Sequence, residues 1–393
     1  MEHIRLTEVL KELESGGRPK GGAAGITSGV FSFGGEHISA DGRVLFEPKK
    51  YVPEEYFQEM RRGKVFKDDI LVVKDGATTG KVGYVSSNVP LPAAINEHVF
   101  RIAVDSEKAF PKYVYYHLLS TTGNQQILLD FRGATVGGIS QEFPDYVNFP
   151  LPPLPKQKRI AVILDKADKL RRLRRYALEM SETFLQSVFL EMFGDPVRNE
   201  KGWDTCELEE LASVERGKFT PRPRNDPSYF GGSLPFIQTG DITNSRGRLS
   251  SWTQTLNEKG KKVSRSFPPG TVVIAIVGAT IGVTAILEIE VYCPDSVVGI
   301  QTIPEKITKE YLEYLLRFWR PVFLAQAPET ARANINLDTL RPLRIPTPPM
   351  TLQKRFTCLV LKNNSFHSKQ VEALRQSEHL FQTLLHKFFT QGI

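Results

Sequence analysis

"LPPLPKQKRI" at positions 151–160 has a near-copy in "IPTPPMTLQKRF" at 345–356. Pro152, Pro153, Gln157, Lys158 and Arg159 are answered by Pro348, Pro349, Gln353, Lys354 and Arg355, each 196 positions further along a chain of 393 residues. A displacement of about half the chain points to a duplicated domain. Working outward, "SETFLQSVFLEMF" (181–193) and "SEHLFQTLLHKFF" (377–389) keep the same displacement, pairing Ser181 with Ser377, Gln186 with Gln382 and Phe193 with Phe389. Upstream, "ILVVKDGATTGKVG" (70–83) answers "VVIAIVGATIGVT" (272–284), with Gly76, Ala77, Thr78 and Gly80 falling on Gly278, Ala279, Thr280 and Gly282 at a displacement of 202. Loop insertions account for the drift. Near the start, "IRLTEVLKELESGGRP" resembles "CELEELASVERGKFTPRP". A period near 200 is too long for a solenoid, so each half reads as an opening strand, a globular region, a proline hinge and a long helix.

The segments after the hinges are helical. Ile163, Ala167, Leu170, Leu173, Ala177, Met180, Phe184 and Val188 recur at intervals of three and four, and nothing interrupts them before "GDP" at 194–196. In the second copy Phe356, Leu359, Asn363, Phe366, Gln370, Ala373, Ser377, Leu380 and Leu384 trace a heptad with polar residues at some inner positions. Helices of some 35 to 40 residues would run about 50 to 60 Å, more than one domain needs for its own core, so each is expected to pack on the other. The globular regions differ. Short apolar runs broken by glycine, among turn clusters such as "NDPSYFGG", predict irregular β structure, with helices near "PKYVYYHLLS" and "TKEYLEYLLRFW".

Composition narrows the function classes. Forty per cent hydrophobic residues is enough for proper cores, and a net charge of +7 permits a polyanionic partner without requiring one. Cys206, Cys293 and Cys358 are too few and too far apart for a disulfide framework or a metal knuckle, which fits a reducing cytoplasm. The charged "MEHIRLTEVLKELESGG" start and the absence of a long apolar window leave no expectation of a leader or a membrane span. "GATTGKV" is one residue short of a phosphate-binding loop, has Val82 where a Mg²⁺-binding hydroxyl is needed, and loses its lysine in the second copy. Neither an aminomethyltransferase motif nor a nuclease metal motif occurs. His379 and His386 stand two helical turns apart and read as a helix surface rather than a metal site.

Taken together, the two halves, "GGEHI" (34–38) and "PFIQTGDI" (235–242), the paired "GATxG" turns, "PLPPLPKQKRIAVILD" with its helix and "FGDPVRNEKGW" (193–203) resemble the specificity subunit of Type I DNA restriction-modification systems over almost the entire chain. The resemblance implies an α+β fold: two similar target-recognition domains separated by two long antiparallel coiled-coil helices, with a pseudo-twofold internal repeat. The corresponding segments are 1–150 and 196–345 for the recognition domains, with helical regions at 151–195 and 346–393. It also implies a non-catalytic, cytoplasmic subunit of a phage-defence system. Each domain would read half of a bipartite site in double-stranded DNA, and the helix pair would fix the gap and dock two methyltransferase subunits. No cofactor would bind directly. S-adenosylmethionine belongs to the methyltransferase, and ATP with Mg to a restriction subunit.

Candidate DNA contacts are chosen by residue type: cationic groups for phosphates, and hydroxyls, amides and guanidiniums for base edges. In the first half these are Arg18, Lys20, Thr78, Thr79, Lys81 and Arg132; in the second, Lys218, Arg222, Arg224, Thr239, Asp241, Arg332 and Asn334. No metal ligands are expected. Leu170, Leu173, Phe184, Val188, Phe366, Leu380 and Leu384 are the expected helix-pair or partner-packing positions. The basic run "KADKLRRLRR" (166–175) reads either as phosphate contacts over the gap or as the wet face of the coil. Two rivals stay open on sequence alone, a coiled-coil scaffold without DNA and a relative from a methylation-only or phage-defence system that never meets a nuclease.

Overall fold

The run Ile70–Val73 has no polar residue because both of its faces are covered. Ile70 and Val72 belong to one apolar core, while Leu71 and Val73 belong to another on the opposite side of the strand. The second copy repeats this division, with Val272 and Ile274 in one core and Val273 and Ala275 in the other. The computed structural model describes residues 3–23, 25–133, 137–326 and 334–391. The α+β chain divides into two compact units, residues 1–176 with 372–393, and residues 177–371.

In the first unit the opening strand His3–Arg5 pairs antiparallel with Asn148–Pro150 just before the hinge. An antiparallel sheet runs in the order Leu10–Ser15, Val99–Val104, Ile70–Val73, Val82–Tyr84. A second sheet has the order Tyr51–Val52, Val30–Phe33, Ala93–Ile95, Lys64–Val65, and its central pair is parallel. The second unit reproduces this strand for strand. Thr205–Glu207 pairs with Arg344–Pro346. Ala212–Arg216, Val297–Thr302, Val272–Ala275 and Thr284–Leu287 form the first sheet, and Gln254–Leu256, Phe230–Phe236, Val291–Cys293 and Arg265–Phe267 form the second, again with a parallel central pair. One addition, Arg248–Leu249, extends the first sheet.

The repeated hinge owes its sequence to one buried amide. Gln157 is 1% exposed; its Oε1 accepts from Phe110 N at 2.8 Å and its Nε2 donates to Pro152 O at 2.7 Å. Gln353, also 1% exposed, does the same with Thr308 N at 2.9 Å and Pro348 O at 2.9 Å. Beside each, a tyrosine hydroxyl donates to the carbonyl that closes the last strand: Tyr113 to Pro150 at 2.7 Å and Tyr311 to Pro346 at 2.9 Å. These tyrosines open the helices Pro111–Leu119 and Lys309–Gln326.

The long helices are Leu154–Phe193 and Met350–Thr390. Gly194, at φ +75°, takes the left-handed conformation that ends the first, and its N–H returns to Leu190 O at 2.8 Å. Within the first unit, Ile160, Leu164 and Ala167 share the core with Phe381, Leu385 and Phe389, and Arg171 meets Glu378 at 3.3 Å. Within the second, Leu185, Phe189 and Phe193 pack with Phe356 and Val360, and Asn363 Nδ2 donates to Ser181 O at 3.5 Å. In each unit the two helical segments run antiparallel.

The inner face differs from the heptad expected of the second helix. Counting from Phe356, a 3.5-residue repeat arrives at Leu380 and Leu384, whereas the period of about 3.6 of a straight helix arrives at Phe381 and Leu385, which are the buried residues. Val188 and Leu384 lie partly buried against the cores. Leu170, Leu173, Phe184, Phe366 and Leu380 are between 39 and 56% exposed, so they do not form the inner seam of the pair.

Replacing Gln157 or Gln353 by Leu leaves a buried N–H and a buried carbonyl without partners. Each variant is expected to lose about 2–4 kcal/mol in urea unfolding. A loss below about 0.5 kcal/mol, the range of an ordinary surface change, would mean that the hinge does not rely on the amide.

Candidate nucleic-acid interface

In both units the glycine turn is a strand connection. Gly76 and Gly80 sit at φ +89° and +86°, and Gly278 and Gly282 at +60° and +76°, a region open to glycine without steric cost. Gly80 N returns to Val73 O and Gly282 N to Ala275 O, each at 2.9 Å, which closes the hairpin. A later loop crosses each turn. Ile139 N donates to Lys74 O at 2.8 Å, and Ile335 N to Ile276 O at 3.1 Å. Thr78, Thr79 and Lys81 thereby stand beside the loop that carries Arg132, and Asn334 pairs with Val277. Thr79 Oγ1 is occupied by Gly76 O at 2.7 Å. Arg132 is exposed but held by Asp130 at 2.7 Å and Glu142 at 2.9 Å. Arg332 lies outside the described residues.

A second loop leaves the strand Leu10–Ser15 through Gly16, and its counterpart leaves Ala212–Arg216 through Gly217. A Cβ at Gly16 would lie 1.8 Å from Ile95 O, and one at Gly217 would lie 2.3 Å from Pro294 O. Only glycine lets the loop pass so close to the neighbouring backbone. Beyond the crossing, Arg18 forms an ion pair with Glu97, Arg224 reaches Asp295 at 2.7 Å and Arg222 reaches it at 3.5 Å. Arg222 also donates to Phe219 O at 3.2 Å and Pro221 O at 2.8 Å. Lys20 and Lys218 are exposed on the same loops.

The two features join into one face per unit. Glu97 is followed by His98, whose Nδ1 lies 2.5 Å from Asp75 and whose carbonyl accepts from Lys74 N at 2.8 Å. Asp295 is followed by Ser296, whose carbonyl accepts from Ile276 N at 3.0 Å. In the second unit the helix Thr239–Asn244 also lies against the glycine turn. Thr239 opens that helix. The Asp241 carboxylate is turned inward, accepting from Gln238 N at 2.7 Å and Thr253 Oγ1 at 3.2 Å, so it caps the helix. Sequence reasoning misses Glu97 and Asp295 as paired positions. The available signal is an acid at the centre of "INEHV" (95–99) and "CPDSV" (293–297), in step ahead of matching strands.

The arginines of "KADKLRRLRR" fit neither reading of that run. Arg171 is 4% exposed, bound to Asp168 at 2.6 Å and to Asp41 O at 3.0 Å. Arg172 pairs with Asp168 at 2.5 Å, Arg175 pairs with Asp41 and Glu378, and Arg174 donates to Ala373 O. Four arginines therefore clasp the helix pair and the loop at 39–43 of the first unit, while Lys166 and Lys169 stay exposed. A cation unable to deprotonate, with five donors, suits such a half-buried junction. Among the described residues, no cluster of His, Cys, Asp or Glu could hold a metal ion, and no helix is long and apolar enough to cross a membrane.

These features define a protein of two repeated α+β modules, each presenting one polar loop face built around a glycine turn and an arginine–carboxylate pair. The family model for the Type I restriction modification DNA specificity domain matches residues 39–179 and 200–357. Among solved structures, the chain is similar to the Type I restriction-modification system S subunit from M. genitalium, with 14% identity, 99% of this chain and 96% of that one covered, and a TM-score of 0.59. It is also similar to a chain from work on complex assembly and conformational transition of the type I R-M system, with 18% identity, 98% and 96% covered, and a TM-score of 0.58. At such identities the likeness is one of fold. The chain belongs to the Type I restriction-modification DNA specificity family.

The Asp41 junction has a pH consequence. Burial alone would raise the Asp41 carboxyl, but hydrogen bonds from Ser39 and Arg43 and the charge of Arg172 outweigh it and hold the group down at about 2. A carboxyl depressed by folding adds stability above its ordinary value of about 4 and loses that contribution as pH falls toward 2. Asp41→Asn is therefore expected to lower stability by about 2 kcal/mol at pH 7, with the difference from the unsubstituted chain closing between about pH 4 and pH 2. A pH-independent difference in denaturant unfolding would refute this.

Proposed function

We propose that this chain is the DNA-reading subunit of a Type I restriction-modification complex, each unit reading one half of a bipartite duplex site through the major groove. The observation that carries this reading is the repetition, at matching places in two units of one chain, of a glycine-crossed loop that ends in arginines beside a second polar loop. Two similar but non-identical readers suit an asymmetric site with two separate halves. A net charge of +7 supports phosphate contacts, which position the protein while base-edge groups select sequence.

The long helices set the gap between the half-sites, and their outward apolar residues, Leu173, Phe184, Phe366 and Leu380, support docking of two methyltransferase subunits. This chain performs no chemistry in the proposal. The methyltransferase, using S-adenosylmethionine, turns the target adenine out of the stack and modifies it. A restriction subunit with ATP and Mg joins at unmodified sites.

Binding to a bipartite duplex is expected to weaken steeply with salt, by about 0.9 in log–log slope per phosphate neutralised, and to vanish when either half-site is scrambled. Salt-insensitive binding without half-site dependence would favour a scaffold. Removing one turn from both long helices shortens the spacer by about 5.4 Å. That is expected to move the preferred gap by one or two base pairs, at about 3.4 Å each, while both half-sites stay the same. Methylation profiling of the assembled complex reads the gap directly, and altered half-sites at constant gap would overturn the spacer role.

A further inference from the structure

We infer that Glu97 and Asp295 are equivalent positioning carboxylates, one per unit, that aim Arg18 and Arg224 at a guanine edge and so set one base position in each half-site. This rests on the proposed DNA-reading function and goes beyond it by naming the reading pair and the base.

Four observations converge. Glu97 lies between Ala93–Ile95 and Val99–Val104, and Asp295 between Val291–Cys293 and Val297–Thr302, so the two acids occupy one place in a duplicated fold. In each unit a glycine that admits no Cβ delivers the arginine loop across the backbone beside that acid. The pairs are not explained by stability, because Arg18 and Arg224 are 57 and 53% exposed and exposed ion pairs contribute little. Finally, each carboxylate is only half used. Glu97 Oε2 and Asp295 Oδ1 are shielded from solvent, yet neither accepts a hydrogen bond from any described residue.

A buried acceptor left idle in the free protein is unfavourable and calls for a partner in another state. The guanidinium supplies one. Its planar fork has two edges, and a carboxylate that engages one edge with both oxygens fixes the plane of the other. That free edge matches the O6 and N7 acceptors of guanine, the most common specific contact in the major groove. Arg18 now touches Glu97 through Nη2 on Oε1, and Arg224 touches Asp295 through Nη2 on Oδ2. Engagement of the idle oxygen by the same guanidinium would complete a two-bond pair. Arg222 is assigned to Arg224's support, since backbone carbonyls of its own loop already hold it.

The test uses the full-length chain assembled with its methyltransferase subunits and a duplex library randomised across both half-sites. For Glu97→Gln and Arg18→Lys, preference for guanine is expected to fall about tenfold or more at one position of one half-site, with the other half-site and the gap unchanged. Asp295→Asn and Arg224→Lys are expected to do the same in the other half-site. The lysine variants keep the charge and lie on exposed loops, so they report even if an acid variant melts early. Equal weakening on all sequences would mean phosphate contact only, and an unaltered base profile would mean no contact at all; either result overturns the inference while leaving DNA reading intact. A complex of the unsubstituted chain that selects no bipartite site would remove the inference together with the function it rests on.

Discussion

One side-chain amide in each half holds the architecture together. Proline lacks an N–H, so a chain leaving a sheet through consecutive prolines strands its carbonyls unless something else supplies donors. Gln157 and Gln353 supply them, and with their carbonyl oxygens they also receive the N–H at the start of the unit's own helix. Each glutamine sits in the first turn of a long helix, so a single group binds that helix, the hinge and the globular core. The tyrosines at 113 and 311 complete the joint through the preceding carbonyls. These bonds act beside the apolar residues further along each helix, such as Ile160 and Phe356, which enter the same cores.

Much of this is legible in residues alone. The duplication can be read because the hinge glutamines and the glycine turns each perform a task that few other residues can, and so stand out in both copies. Ile70–Val73 and Val272–Ala275 can be read as strands because burial on two faces removes every polar residue. What cannot be read is whatever depends on partners distant in sequence. A heptad count misplaces the inner face of the second helix by one position late in its length, since Leu380 and Phe381 are both apolar and only the accumulated rotation of a straight helix separates them. Asp241 passes for a base-reading group because its capping partner, Gln238 N, and the Thr253 hydroxyl become visible only in three dimensions. Glu97 and Asp295 escape notice because one is Glu and the other Asp, with different neighbours on each side.

The arginine run carries a related lesson. Consecutive cations on a long helix suggest a solvated or phosphate-facing surface, but Asp168 within the run receives two of them, and their other partners, Asp41, Glu378 and the Ala373 carbonyl, lie more than a hundred positions away. Charge in sequence therefore overstates charge at the surface. Lys20 and Lys218 stay exposed on the loop faces.

The glycine crossings have a further consequence. Because neighbouring backbone dictates the path at Gly16 and Gly217, the residues after each crossing can be exchanged, lengthened or recharged without shifting the platform beneath them. The two loops already differ in this way, one running "RPKGG" and the other "KFTPRPR" from the same take-off point. Such a pedestal lets the two loops drift apart in sequence by small steps while the backbone that carries them keeps its course.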